Sequence, residues 1–386
     1  MKILILGGGL MGPAAAFNAM ADPEVSQVVL ADADPTQLDA AIRKLTGKPG
    51  AAKLSPVQLD LNDQTAAVEV MTGCQTVVAA LPRPISILAI RAALRVGVPL
   101  VDLTWPAEEH MPGLSAEVAA AGGLIIPGCG VEPGLTEIMA RHLAEQLDQV
   151  DELHIKCGGI PEKPEPPLGY KIVFGGRQLP LREQDGYRVE AGRLQPVPRY
   201  SGVETITFPG LGELEAWHET FMPWLLDLPA LQTLEAGTQK TIRWPGYAAK
   251  VAVLKELGLL SLEPVEVEGV KVAPKKLLDA LLYPQVAMKE GERDITVLRV
   301  EVSGQKAGQP HRLKTEMVDY YDETEGFTSM ARTTAFTGAI VARMIGRGEV
   351  PQRGLLTPEQ VIFGPLLERL LAELAAANVC FEMTAA

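Results

Sequence analysis

A strand-length, mainly apolar run, Met1-Lys-Ile-Leu-Ile-Leu6, passes directly into Gly7-Gly8-Gly9-Leu10-Met11-Gly12, and no other part of the chain constrains its fold as much. Glycines 7, 9 and 12 have the G-x-G-x-x-G spacing. An alanine-rich segment of helical length follows over 13–20, and a second apolar run, Gln27-Val-Val-Leu30, leads to Ala31-Asp32. A glycine triplet alone is weak. Strand, glycine turn, helix, strand and an acid twenty residues after Gly12 together form the dinucleotide-binding pattern. Gly7 permits the tight turn, Gly9 lets a pyrophosphate approach the backbone, and Gly12 lets helix and strand pack closely. The helix N-terminus carries roughly half a positive charge toward the phosphates. Asp32 accepts both adenosine ribose hydroxyls and repels a 2′-phosphate, so the expected cofactor is NAD rather than NADP. The competing reading is a glycine turn in an α/β domain with no cofactor.

At 386 residues the chain exceeds one ordinary domain, and two are expected. A hydrophobic content of 47% with 22% charged residues belongs to a well-cored protein. The net charge of −13 argues against nucleic acid, whose phosphates demand clustered Lys and Arg. Cys74, Cys129, Cys157 and Cys380 show no C-x-x-C or ligand spacing, and His110, His142, His154 and His311 show none to one another. No metal site is expected. No apolar run has spanning length and a strand begins at once, so neither a membrane nor a targeting segment is expected, and the expected location is cytoplasmic.

The first third alternates strand and helix patterns, which predicts a doubly wound parallel sheet. Asp34-Pro35 reads as a helix cap followed by proline at the first helical position; Asn62 or Asp63 caps the next helix. Strands are expected at 53–59, 76–80, 99–102 and 124–126, with helices at 85–96, 115–121 and 136–147. Ligands of such sheets lie beyond the carboxyl ends of the strands. The cofactor set is therefore Gly7, Gly9, Leu10, Met11, Gly12 and Asp32, with Asp60, Ala80, Leu81, Pro82, Asp102 and Leu103 from later strand ends. After the Gly- and Pro-rich segment 127–134 the character changes. Strand alternation at 151–157, 295–302 and 311–317, with a turn at 304–308, predicts an α+β domain on a mostly antiparallel sheet. The expected division is a Rossmann NAD-binding domain over 1–130, an α+β catalytic and oligomerisation domain over 131–328, and a helical segment over 329–386 that returns to the first domain. Helix 329–345 is apolar enough to be buried. The proline run 161–167 can be a PxxP ligand or an ordered loop shaping a cleft, and the second is favoured in a chain so well cored.

The chain resembles the saccharopine dehydrogenase-like family, and within it the L-lysine 6-dehydrogenases. The resemblance rests on the glycine turn, Gly130-Val-Glu-Pro-Gly134, Gly158-Gly-Ile-Pro-Glu-Lys-Pro-Glu-Pro-Pro-Leu-Gly-Tyr170, Glu215-Ala-Trp-His218, Lys240-Thr-Ile-Arg-Trp-Pro-Gly-Tyr247 and Ser329-Met-Ala-Arg-Thr-Thr334. It implies a Rossmann domain completed by the C-terminal segment, a central catalytic domain and a homodimer or homotetramer. It also implies oxidation of the ε-carbon of L-lysine by NAD, with hydrolysis of the imine. Glu132 departs from the family's Ala or Asp, and Glu219-Thr-Phe221 stands where small residues are usual.

Such a reaction needs a neutral amine and an anchor for the substrate carboxylate, for which a guanidinium fork is suited. Arg243 is the expected anchor, or else a structural arginine stacked on Trp244. Lys240 and Trp105 join it as substrate-binding residues. The expected catalytic residues are His218 as acid/base by resemblance, Tyr170 as a substrate bond and Glu132 as a holder of the substrate ammonium. Each has a plain alternative: a structural histidine, a packing tyrosine and a turn residue before Pro133. Saccharopine- or carboxynorspermidine-type condensation is the alternative within the family. A non-catalytic NAD sensor is the alternative outside enzymology.

Overall fold

The computed structural model describes residues 1–385, which form two compact units. The first comprises Met1–Ile138, Asp322–Phe327 and Ala331–Val379. Its chain runs β1 (Lys2–Leu6), α1 (Gly12–Ala21), β2 (Gln27–Asp32), α2 (Pro35–Leu45), β3 (Leu54–Gln58), α3 (Gln64–Met71), β4 (Thr76–Ala79), α4 (Arg83–Val96), β5 (Leu100–Asp102), α5 (Leu114–Ala120), β6 (Leu124–Ile126) and α6 (Leu135–Ala144). The six strands lie parallel in the order β6-β5-β4-β1-β2-β3, and a short strand, Gly354–Leu355, adds beside β6. Strand order reverses between β1 and β4, the topological switch of a Rossmann sheet. The central strands are unbroken apolar runs because helices cover both faces: Ile3, Leu4, Ile5 and Leu6 are fully enclosed. The caps form where the sequence places them. Asp34 accepts from the Thr36 amide at 2.8 Å, and Asp63 from the Thr65 and Ala66 amides at 3.1 and 3.0 Å.

The second unit comprises Met139–Tyr321, Thr328–Met330 and, within the described residues, 380–385. Its elements are β7 (Gln149–Pro161), β8 (Gly186–Glu190), β9 (Arg193–Val197), β10 (Glu204–Phe208), β11 (Gly212–His218), β12 (Ala236–Arg243), α7 (Tyr247–Glu256), β13 (Val265–Val267), β14 (Val270–Val272), α8 (Pro274–Val286), β15 (Asp294–Lys306) and β16 (Gln309–Tyr320). The main path of its large sheet is β10-β11-β12-β7-β15-β16 followed by Glu382–Ala385, and only the β12–β7 pair is parallel. Arg299 of β15 donates to the Thr207 carbonyl at 2.6 Å and lies over the Phe208 ring, so β10 curls over one face of its own sheet.

Four expectations are refined. The β15–β16 turn is narrower than 304–308: pairing continues to Lys306↔Gln309, leaving Ala307 and Gly308 as the turn, while Gly304, where a Cβ would collide with the Gln149 carbonyl, is a paired strand residue facing a bulge at Asp151 of β7. The helix at 329–345 is broken by a π-helical stretch over Arg332–Phe336, and Thr337–Gly346 completes it with nine of its ten residues buried. The C-terminal segment does not return whole to the first unit, because Glu382–Ala385 fills the open edge of β16 with antiparallel hydrogen bonds. The contact boundary after the first unit falls inside α6, at Ile138, rather than at 130. Among the described residues no helix is long and apolar enough to cross a membrane, and no group of three potential metal ligands occurs.

Candidate active site

In the first unit the glycine turn divides into two kinds of glycine. Gly7 has φ +101°, and a Cβ there would collide with the Ala80 carbonyl; a Cβ on Gly12 would collide with the Gly7 carbonyl. These two are required by the turn itself. Gly9 is different: nothing lies nearer to its would-be Cβ than the Gln37 side chain at 3.4 Å, so its surroundings are open to a ligand. The Gly8 amide donates to Asp32 Oδ2 at 2.6 Å, while Asp32 Oδ1 accepts from the Asp34 amide at 2.7 Å. The carboxylate is thus pinned at the end of β2 beside the turn. No side chain caps the N-terminus of α1 at Met11, its first turn holds no acid, and Leu10 stands half exposed beside it. Open backbone, an uncapped helix start and a fixed carboxylate fit a dinucleotide. Ala80, Leu81 and Pro82 leave β4 on the other side of the switch point, with Leu81 half-buried and Pro82 exposed.

Other expected cofactor residues are spent elsewhere. Asp102 is fully buried; its carboxyl accepts from the Ser86 hydroxyl and, at 2.8 Å, from the Thr104 amide. Burial pushes its pKa up to about 7 against those hydrogen bonds. The Leu103 side chain packs onto Gly338, where a Cβ would collide with it. Asp60 shapes an exposed turn by accepting from the Asn62 amide and side chain at 2.9 and 2.8 Å. Trp105 covers Gly128, where a Cβ would collide with its indole, so its ring holds the 127–134 loop. Arg83 donates to the Trp105 and Pro106 carbonyls, both at 3.2 Å. Glu132 sits half-buried in that loop. The acid that ties the loop down is Glu137, which accepts from the Gly134 amide at 2.6 Å and the Thr136 hydroxyl at 2.7 Å.

In the second unit the register of β11 and β12 decides which residues meet. Glu215 faces Arg243 and Trp217 faces Thr241, while Ala216 faces Ile242 and His218 faces Lys240. Because side chains alternate along a strand, Arg243 projects to one face and Lys240 with His218 to the other. The expected site is therefore split.

On the first face Arg243 is buried in an aromatic cage. Its guanidinium lies 5.0 Å from the Tyr170 ring centroid and 5.7 Å from that of Tyr247. Tyr170 and Tyr247 meet edge to face at 5.7 Å, Trp217 stacks on Tyr247 at 6.2 Å, and Tyr200 lies against Trp217 at 4.7 Å. The guanidinium donates to the Ile242 carbonyl at 2.7 Å. Arg243 Nε, Tyr170 Oη and Trp217 Nε1 are all buried without hydrogen-bond partners. Burial raises the pKa of the Tyr170 and Tyr247 phenols, partly offset by the arginine's charge, so both remain proton donors. Glu215, the cross-strand neighbour of Arg243, turns away from it. Its carboxylate accepts from the Gly246 and Ala248 amides at 2.7 and 2.6 Å, capping the α7 N-terminus and so fixing Tyr247. A set of donors converging around an unneutralised cation is built for an anion.

The opposite face is electrically closed. Lys240 donates to the Gly202 carbonyl at 2.7 Å and pairs with Glu204 at 3.0 Å; Glu204 also meets Lys156 at 3.4 Å, and Lys156 meets Glu301 at 3.1 Å. His218 lies against Gly202, which has φ +59° and no room for a Cβ. Burial, reinforced by Lys240 and Arg188, pushes the pKa of this imidazole down to about 4. It is therefore neutral at physiological pH and poorly matched to acid/base duty there. Glu219 pairs with Arg199, and Phe221 packs where a Cβ on Gly237 would sit. The motif Glu215-Ala-Trp-His218 thus contributes its odd positions to the cage, and Trp217, Tyr247 and Glu215 are the residues that sequence reasoning passed over. Only the strand register reveals them.

A family profile described as Saccharopine dehydrogenase NADP binding domain matches residues 3–124, and one described as Saccharopine dehydrogenase C-terminal domain matches residues 130–379. The chain is 25% identical to the alpha-aminoadipic semialdehyde synthase of Bos taurus over 96% of its own length, and it spans about half, 47%, of that relative. It is 23% identical to the carboxynorspermidine synthase of Vibrio cholerae, covering 96% of this chain and 94% of that one. The solved saccharopine dehydrogenase (L-Glu forming) of Saccharomyces cerevisiae superposes with a TM-score of 0.81 at 18% identity, covering 100% of this chain and 99% of that one. The homospermidine synthase of Legionella pneumophila, solved with NAD, gives 0.65 at 13% identity, covering 100% and 91%. The two structural likenesses establish the fold.

Proposed function

The chain belongs to the saccharopine dehydrogenase family, and we propose that it is an NAD-dependent oxidoreductase acting on the ε-amine of L-lysine or of a close ω-amino acid. One observation carries the choice of substrate. Six lysine and arginine side chains of the second unit are buried among the described residues: Lys156, Lys171, Arg199, Lys240, Arg243 and Lys275. Lys156 and Lys240 pair with glutamates on the closed face; Lys171 pairs with Glu292 and Glu165, Arg199 with Glu219 and Lys275 with Asp279. Of these six, Arg243 alone has no carboxylate within ion-pair distance. A buried charge left unpaired is costly, so a single anionic group of the substrate completes it. One cation suits a substrate with one carboxylate and disfavours a polycarboxylate such as saccharopine.

In this reading Arg243 takes the carboxylate through its fork, and Tyr170 Oη and Trp217 Nε1 donate to the remaining lone pairs. Tyr247 and Tyr200 exclude water and strengthen the charge interaction. In the first unit the Gly9 backbone and the α1 N-terminus hold the pyrophosphate, and Asp32 holds the adenosine ribose. The cofactor, when bound, accepts hydride from the amine-bearing carbon. The pinned Asp32 carboxylate supports NAD over NADP, since a 2′-phosphate would face a charge already held by two amides.

Carboxynorspermidine-type chemistry is the second reading, favoured by the end-to-end match with the Vibrio cholerae enzyme and compatible with one carboxylate. The test is absorbance at the reduced-nicotinamide band with NAD or NADP and a panel of L-lysine, L-ornithine, diaminopimelate, saccharopine and carboxynorspermidine at alkaline pH. Reduction of NAD with L-lysine and release of ammonia is the expected result. Signal with carboxynorspermidine alone selects the second reading. Cofactor binding without turnover on any amine makes the protein a sensor.

A further inference from the structure

The segment Ser329-Met-Ala-Arg-Thr-Thr334 stands out in the sequence, and neither the aromatic cage nor the glycine turn uses it. It runs into the π-helical stretch Arg332–Phe336, which the regular turns of Thr337–Gly346 follow. Wide turns of this kind inside α-helices are rare and frequently lie at functional sites. Here the wide turn is braced, because the Thr337 hydroxyl donates to the Thr333 carbonyl at 2.7 Å. From Ala331 to Ile345 every residue except Thr334 is buried. The helix therefore opens at one place, its irregular turn, and the residue at the opening carries a hydroxyl.

That opening lies at the ligand edge of the first unit's sheet. A Cβ built on Gly130 would come within 3.0 Å of the Thr334 methyl and 3.3 Å of the Leu103 carbonyl. Leu103 follows β5 and Gly130 follows β6, so both stand beyond the carboxyl ends of their strands. The Leu103 amide donates to the Ala79 carbonyl at 3.0 Å, which ties this point to the end of β4, on one side of the switch point. Asp32 ends β2 on the other side. The same wide turn packs on α1, where Phe336 meets Phe17 with 6.2 Å between ring centroids. A dinucleotide laid across the switch point, with its adenosine ribose at Asp32 and its pyrophosphate at the start of α1, brings its nicotinamide to the β4–β5 side. We propose, on the footing that the chain binds a nicotinamide dinucleotide as set out above, that the Thr334 hydroxyl binds the carboxamide of that nicotinamide, with the Leu103 carbonyl beside it. A carboxamide offers an acceptor in its oxygen and a donor in its NH2 group. A hydroxyl and a carbonyl held beside one glycine offer the complement. A hydroxyl has one proton to donate and two lone pairs, so Thr334 can keep a bond within its helix and still meet the ligand. The π-helical turn is what brings this side chain to the sheet edge, since the turns that follow it are closed.

The test is calorimetric titration of the full chain with NAD and with ADP-ribose, which keeps the adenosine and the pyrophosphate and lacks the nicotinamide. Thr334→Val keeps a methyl against Gly130 and removes the hydroxyl. It should weaken NAD by about fivefold to tenfold, the scale of one lost hydrogen bond, and leave ADP-ribose within about twofold. Thr334→Ser keeps the hydroxyl and should hold NAD within about twofold of the wild type. Thr334→Ala repeats the deletion with a better helix former, and the thermal midpoint of each variant without ligand checks that it is folded. NAD affinity unchanged in folded Thr334→Val and Thr334→Ala overturns the proposal. Equal losses for NAD and ADP-ribose overturn it as well, since Thr334 would then act on α1 or on the 127–134 loop and not on the carboxamide. A folded wild type that binds neither NAD nor NADP is a different failure: it removes the cofactor from the proposed function, and this contact with it.

Discussion

Arg243 and Lys240 stand three residues apart on one strand, both buried and both cationic, and they are in opposite chemical states. Lys240 is held by a carbonyl and by Glu204 on a face where positive and negative groups alternate. Arg243 has aromatic rings around it, one carbonyl beneath it and no carboxylate. Even its nearest acid on the neighbouring strand, Glu215, is occupied in capping α7. A paired buried cation is structure; an unpaired one surrounded by idle donors is the arrangement that the proposed anion site requires. What separates the two is the parity of the strand, not the type of residue.

The largest expected effect tests that division directly. Arg243→Met should raise KM for the amino acid by about 100- to 1,000-fold, the scale of losing a charge-assisted bidentate contact, and leave NAD affinity unchanged. Arg243→Lys should recover only part of this, because an ammonium cannot present a fork. Lys240→Met should move KM by less than about threefold and show itself in stability instead, lowering it by about 1 kcal/mol as Glu204 loses a partner. Steady-state kinetics on the three variants decides the matter. Comparable KM losses at 240 and 243 would break the comparison between faces.

Next in size is the cofactor turn. Asp32→Ala should weaken NAD by about 10- to 100-fold, the worth of a charged acceptor for two hydroxyls, and weaken NADP less, as measured by fluorescence titration. Equal losses would mean that Asp32 serves only the Gly8 and Asp34 amides.

The two regions also differ in how far they can be read without coordinates. The local geometry of Gly7, Gly9 and Gly12 could be anticipated from spacing because it is set by neighbouring backbone, and that of Asp32 because it closes the next strand beside the turn. Their demands are local: a positive φ, a close approach, an open side. The cage is not local. Tyr170, Trp217, Arg243 and Tyr247 come from four segments, and only pairing of Glu215 with Arg243 reveals which neighbours share a face. For the same reason Lys240 and His218, which look as eligible as Arg243 in the same motifs, fall on the other side. Gly304 looked like the start of the turn because a glycine facing a bulge and a turn glycine read alike in sequence; only the partner strand, with its bulge at Asp151, distinguishes them. Asp102 and Leu103 were placed at the right strand end, but side-chain direction sent one to Ser86 and the other to Gly338.

A smaller effect sharpens the role of Glu215. Glu215→Gln keeps one acceptor for the α7 amides and loses the charge, and should raise KM for the amino acid by about threefold to tenfold through a displaced Tyr247, with little change in kcat. Glu215→Ala should exceed it. A fall in kcat with KM unchanged would place Glu215 outside the anion site.

The smallest effect on catalysis is expected at His218, and it is the most informative about the closed face. His218→Asn should leave kcat/KM within about twofold at neutral to alkaline pH, because an imidazole whose pKa is depressed to about 4 is uncharged there and is too weak a base to hold a transferred proton. Its signature lies in stability. In the unfolded chain the imidazole takes up a proton below about 6.5, and in the folded chain only below about 4. Between those values the unfolded state holds the extra proton, so folding stability falls as pH is lowered through that window. Chemical denaturation of wild type and His218→Asn at several pH values between 4 and 7 isolates this contribution from that of the carboxylates, which both proteins share. The wild type should lose more stability on acidification than the variant. Parallel curves would mean that His218 is not held neutral by its burial beside Lys240, and an inflection in the pH–rate profile removed by His218→Asn would return it to the chemistry.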